Sequence, residues 1–169
     1  LNIPGLIFLC ILNKKQKVRC PQGWRENEDK CYYFSADTKS WSDANTFCSE
    51  QGSDLLSIRD IHERLWVRTQ ISTEVYWIGL NDRSREGVWE WSDGSPFLEY
   101  IAAWIPGQPD NWGDAPGEDC GQVVGSNSGQ WNDENCDIEN KFICKGRPGV
   151  HYFRRRRAVR HRKPGLVTS

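Results

Sequence analysis

Hydrophobic and polar positions change period twice along this chain. DKCYYFSAD alternates aromatic and polar residues as a half-buried strand does. From Ser40 the period becomes helical. Ser40-Trp-Ser-Asp43 reads as a capping box, because both side chains can satisfy free backbone N–H groups of a first turn, and Trp41, Ala44, Phe47 and Cys48 then fall on one face. This helix is expected to end at Gly52. Asp60 with Glu63 three residues later signals a second helix, with Ile61, Leu65 and Ile71 as its apolar stripe.

Beyond residue 75 the helical period disappears. VYWIGLND (75–82), VWEWSDG (88–94), CGQVVG (120–125), GQWND (129–133) and FICK (142–145) are short, rich in β-branched and aromatic residues, and bounded by Gly, Asn, Asp or Ser. The pattern predicts an α+β domain: two helices followed by short antiparallel strands with long loops. Residues 95–119 are the longest stretch without periodicity. A loop of that length inside a compact domain is functional or disordered, and its Trp and Pro residues argue for function.

Composition sharpens this picture. At 169 residues one domain is the expectation. The net charge of −1 conceals a division: all 23 acidic residues lie between Cys20 and Cys144 with only nine basic ones, whereas both ends are basic. A segment near −14 repels nucleic acid and attracts cations. The seven cysteines form no C-x-x-C pair and lie far from His62, His151 and His161 in any zinc-like spacing. Six of them bracket the acidic segment and read as structural disulfides of an oxidising, extracellular compartment. Cys10 is left over, as a free thiol, a lipidated cysteine or a product of how the chain was cut.

The chain divides into an apolar and basic leader (1–19), the acidic domain (20–145) and a basic tail (146–169). The leader reads as a truncated anchor, a signal remnant or non-native sequence, its longest apolar run LIFLCIL being about a third of a membrane span. With no Met present, the sequence reads as a fragment or processed product, and membrane anchoring outside it is left open. The tail YFRRRRAVRHRKPG reads as a disordered extension, with polyanion binding and proprotein cleavage as alternatives.

Oxygen ligands concentrate at Asp82 and Glu86, at Gln108 to Asp119, and at Asn132-Asp133. Calcium takes six to eight oxygens in flexible geometry, and a loop alternating amides and carboxylates suits it. Because the spacing is not that of an EF-hand, the ligands must come from separate segments. A cis bond before Pro109 would turn Gln108 and Asp110 toward one ion, cis peptides being essentially confined to proline. Trp112 would then stand beside that ion, its ring offering an apolar face to a sugar. No Ser, His and Asp or Cys and His arrangement is visible, so an enzyme is not expected.

With WIGL (77–80), EWSDG (90–94), QPD (108–110), GEDC (117–120), WND (131–133) and FIC (142–144) in one order, residues 20–145 resemble the C-type lectin-like domain in its long form. The resemblance implies disulfides Cys20–Cys31, Cys48–Cys144 and Cys120–Cys136. It implies a sugar-binding calcium site of Gln108, Asp110, Glu118, Asn132 and Asp133, and an accessory calcium site of Asp82, Glu86, Asn111, Glu118 and Asp119. Within that family QPD accompanies galactose-type binding, and Trp112 matches the tryptophan that packs on galactose. The expected ligands are galactose or N-acetylgalactosamine glycans and glycoproteins, the expected cofactor is Ca²⁺, and the oligomeric state is left open. The alternative is a domain that binds a protein ligand through the same loops, with calcium only structural. This chain departs from the family in its short GDAPG loop and in Ala103, where Asn precedes the tryptophan in other members.

Overall fold

In the computed structural model, residues 19–149 are described; Cys10, the leader to residue 18 and the tail from residue 150 lie outside the described residues. Strand β1 (Arg25–Asn27) pairs with β2 (Lys30–Phe34), and helix α1 (Trp41–Glu50) follows. Next come β3 (Asp54–Leu55), α2 (Ile61–Gln70), β4 (Val75–Asn81) and β5 (Glu90–Trp91). After the long loop come β6 (Cys120–Val124), β7 (Gln130–Glu134) and β8 (Lys141–Gly146). The sheet runs β1-β2-β8-β4-β6-β7, with β3 beside β8 and β5 beside β4.

Both helices start where the sequence placed them. The Ser40 hydroxyl accepts from Asp43 N at 3.2 Å, and Asp60 Oδ1 accepts from Glu63 N at 2.8 Å. Helix α1 stops two residues before Gly52 and buries Trp41, Ala44 and Cys48. Helix α2 corrects the expected stripe. Ile61 and Leu65 are 44% and 45% exposed, and the inward residues are Glu63 and Val67, followed by Ile71. The reason is tertiary: Glu63 Oε1 accepts from the Tyr32 hydroxyl at 2.6 Å and lies 2.6 Å from Lys145 Nζ, so a charged position turns inward and rotates the helix.

The expectation of antiparallel strands needs a second correction, because β4 runs parallel to β8, pairing Tyr76 with Lys141 and Trp77 with Phe142. EWSDG supplies only a two-residue strand, while β1 and β3 were too short to stand out as periodic. The WIGL segment is the centre of the sheet. Trp77, Ile78 and Leu80 are fully buried, and Trp41 Nε1 donates to Ile78 O at 2.8 Å. Gly79 must lack a side chain, since a Cβ there would lie 2.8 Å from Leu55 O and 2.7 Å from Ser92 Oγ.

The three disulfides form as expected: Cys20–Cys31, Cys48–Cys144 and Cys120–Cys136. The second joins α1 to β8 across 96 residues, a closure worth roughly 4–5 kcal/mol in the chain-entropy model. Trp131 anchors the long loop at its base. Its ring meets Trp91 and Trp104 edge-on at 5.8 and 5.9 Å, its backbone N–H donates to Ala103 O, and its carbonyl accepts from Ile105 N. The loop therefore leaves a rigid aromatic platform. A 3-10 turn at Glu99–Ile101 also lies within it.

Candidate calcium centre

Residues 108–119 close on β7 through hydrogen bonds that no local pattern announces. The Gln108–Pro109 bond is cis, as is Ala115–Pro116, which was not anticipated. Asp133, wholly buried on β7, accepts from Asp110 N at 3.3 Å and from Asn111 N at 2.8 Å. Glu118 Oε2 accepts from Trp112 N at 3.1 Å, and Glu118 N donates to Asn111 Oδ1 at 2.7 Å. The sequence placed Asp133 among the ligands but missed its role as the post on which the loop is tied. That signal is long-range, since 22 residues separate Asn111 from Asp133.

Two acidic groups result. Asp110, Glu118 and Asp133 each offer a carboxylate oxygen, all three within 4.8 Å of one another. Asp82, Glu86 and Asp119 form a second group of the same size. Two oxygens that share a calcium ion at about 2.3–2.6 Å lie no more than about 5 Å apart, so both groups match the ion's reach. No lysine or arginine pairs with any of the six among the described residues. Burial, then the neighbouring Asp133 and Glu134 charges, push the Glu118 carboxyl up to about 7 against the pull of the Trp112 N–H. Burial likewise raises Asp82, although Gly87 N donates to its Oδ2 at 2.7 Å.

Among the described residues three buried side-chain polar atoms lack a hydrogen-bond partner, and two of them are Asp82 Oδ1 and Gln108 Oε1. A buried acceptor without a donor costs about 1–3 kcal/mol; one such oxygen belongs to the second acidic group and the other to the residue two before Asp110, and both fit a cation as the missing partner. Asn132 stands next to Asp133 on β7, and its Nδ2 donates to the Asp133 carbonyl. Asn111 Oδ1 already accepts from Glu118 N. Trp112 projects beside this group with 76% of its surface exposed.

The family profile described as "Lectin C-type domain" matches residues 37–146. C-type lectin domain family 17, member A, of Homo sapiens is 43% identical over 142 residues, which are 83% of this chain and 36% of that protein. C-type lectin domain family 10 member A of Mus musculus is 36% identical over 136 residues, 79% of this chain and 43% of that protein. The chain thus spans less than half the length of these relatives. Among solved structures, the mouse scavenger receptor C-type lectin carbohydrate-recognition domain superposes with a TM-score of 0.71 at 42% identity, covering 76% of this chain and 98% of that one. A calcium-independent type II antifreeze protein superposes with a TM-score of 0.68 at 29% identity over 76% of this chain and 95% of that one, so the fold alone does not require the ion. Sequence, disulfides and architecture agree: the chain belongs to the C-type lectin domain family.

Proposed function

We propose that this domain binds galactose-type or N-acetylgalactosamine-type glycans in a calcium-dependent manner, as an extracellular recognition module. The observation that carries the reading is the coincidence of orphaned buried oxygens with acidic groups: Gln108 Oε1 with Asp110, Glu118 and Asp133, and Asp82 Oδ1 with Glu86 and Asp119. Gln108, Asp110, Glu118, Asn132 and Asp133 would hold the sugar-binding ion. Asp82, Glu86, Asn111, Glu118 and Asp119 would hold the accessory one. A bound Ca²⁺ supplies open coordination positions that sugar hydroxyls take in place of water.

The chain's own residues do the rest. The amide oxygen of Gln108 and the carboxylates of Asp110 and Glu118 offer acceptors to sugar O–H groups, and the Asn132 amide adds a donor. Trp112 presents a flat apolar ring for the C–H face of the sugar, and its exposure fits a ring that is covered only by ligand. The Asp133 carboxylate holds the Asp110 and Asn111 backbone in place, which keeps the loop pre-shaped.

The test is retention on galactose-agarose in millimolar Ca²⁺ followed by EDTA. Release by EDTA is expected, and retention that ignores EDTA would overturn the reading. A second reading is a protein-binding domain with structural calcium, favoured by the Asp82, Glu86 and Asp119 group that offers an ion site apart from Gln108 and Asp110. The pair Gln108→Glu and Asp110→Asn separates them. Conversion from galactose to mannose binding supports direct sugar coordination, whereas loss of a protein ligand with no change in sugar binding supports the second reading.

A further inference from the structure

At the start of β7 lies a cavity of about 280 Å³ between α2 and the hairpin joining β6 to β7. Arg64, Leu65 and Arg68 of α2 form one wall, Ser128 to Gln130 form another, and Ala103 completes the lining. Its volume approaches the small end of ligand pockets.

The chemistry of this lining runs against the rest of the domain. It contains two arginines and no acid, in a segment where acidic residues outnumber basic ones 23 to nine. Among the described residues neither Arg64 nor Arg68 forms an ion pair. Arg64 is nonetheless fixed, because its Nη1 donates to Ile101 O at 2.7 Å. The same Nη1 lies 3.5 Å from Ala102 O, and the fork retains the donors on Nε and Nη2. Arg68 is steadied through its stem. A Cβ on Gly129, which sits at φ +73°, would come within 3.0 Å of Arg68 Cβ, so only glycine lets the hairpin close on the helix. The Arg68 guanidinium itself makes no hydrogen bond among the described residues. Two arginines lining one cavity without a counter-charge suit an anion, which a guanidinium fork can bind through paired N–H groups.

Its position relates it to the calcium loops. Gln130 of the cavity and Asn132 of the proposed sugar site are two residues apart on β7, with Cα atoms about 7 Å apart. That spacing is within the reach of a short oligosaccharide.

We propose that this cavity is an anion subsite that takes the carboxylate or sulfate of an acidic sugar unit in a glycan held at the calcium loops. The proposal rests on the carbohydrate reading above. It makes the domain selective for acidic over neutral galactosides, with Arg68 and Arg64 as the charged contacts and the Ser128 hydroxyl as a further donor.

The test titrates the calcium-loaded protein with a 3-sulfated galactoside, a sialylated galactoside and their neutral parent, following backbone amides by NMR. At least one acidic sugar is expected to bind about ten-fold more tightly than the parent and to shift the Ser128–Gln130 amides as well as those of Asp110–Trp112. Which of the two does so identifies sulfate or carboxylate as the source of the charge. Arg68→Gln should abolish the advantage, Arg68→Lys should restore part of it, and both variants should bind the neutral parent like the unaltered protein. Equal affinity for all three sugars, with shifts only at Asp110–Trp112, overturns the subsite and leaves the carbohydrate reading standing. Silence at both segments overturns the carbohydrate reading and the subsite with it. Inorganic sulfate producing the same hairpin shifts at the same concentration would mean an adventitious ion only. An acidic peptide that displaces the sugar from the hairpin at lower concentration would assign the cavity to a protein ligand and overturn the proposal.

Discussion

The Lys145 ammonium lies 2.6 Å from the Glu63 carboxylate, both side chains less than a tenth exposed, and so ties the last strand to the second helix. Lys145 also donates to Ser57 O at 2.8 Å, Tyr32 donates to Glu63 Oε1, and Arg59 N donates to Glu63 Oε2 at 2.9 Å. Removing one member leaves an uncompensated buried charge. Glu63→Gln or Lys145→Met alone is expected to lower unfolding stability by about 3–5 kcal/mol, and a double change to apolar residues of similar volume to lower it far less. Urea unfolding of the three variants with disulfides intact checks this. A double variant as unstable as the sum of the singles would contradict it.

Asp93 gives the fold a dependence on acid. Burial raises its carboxyl, but donors on Ser57, Ser95 and Arg59 outweigh burial and bring it to about 2. A carboxyl that is lower in the folded chain than in the unfolded one stabilises the fold above pH 4. That stabilisation fades as pH falls from about 4 through 2. Allowing for solvent screening, it amounts to roughly 1–2 kcal/mol. Unfolding measured from pH 6 down to pH 2 should show Asp93→Asn less stable than the unaltered protein at the upper end, with the gap closing toward pH 2. A gap that is constant across the range would assign the loss to packing.

Calcium should stabilise the fold it closes. An ion that binds only the folded chain adds about 2.7 kcal/mol when it is present at a hundred times its dissociation constant. Calorimetry in calcium and in EDTA should therefore show a higher Tm with the ion. The difference is expected to shrink in Asp133→Asn, which weakens both the ligand set and the post for the Asp110 and Asn111 backbone. An identical Tm in calcium and EDTA would count against both proposed ion sites.

Trp112 separates recognition from folding. With 76% of its surface exposed, Trp112→Ala is expected to change stability by less than about 0.5 kcal/mol. The same change should abolish retention on galactose-agarose while calcium still raises the Tm. Unchanged retention would remove the ring from the sugar site.

Several features were legible from residues alone because they depend on neighbours in the chain. Ser40 and Asp60 cap helices through donors three residues away, and the aromatic and β-branched runs at Val75–Asn81 and Cys120–Val124 became strands. The order of WIGL, QPD, GEDC and WND carried the family resemblance and with it the cysteine pairing that the structure shows. The candidate ligands were legible as oxygen-rich segments.

Tertiary structure decided what sequence distance hides. It turned α2 so that Glu63 meets Lys145, the Tyr32 hydroxyl and the Arg59 N–H, while Ile61 and Leu65 face outward. It set β4 parallel to β8, a pairing between segments 65 residues apart with no local signature. It divided the acidic residues into two groups and left Asp82 Oδ1 and Gln108 Oε1 without donors. It brought Arg64 and Arg68 of α2 against the hairpin at Gly129, lining one cavity with two arginines in an acidic domain. Local chemistry determined which elements and ligand types this chain has; long-range contacts, formed only when the chain closes on itself, determined which of them meet.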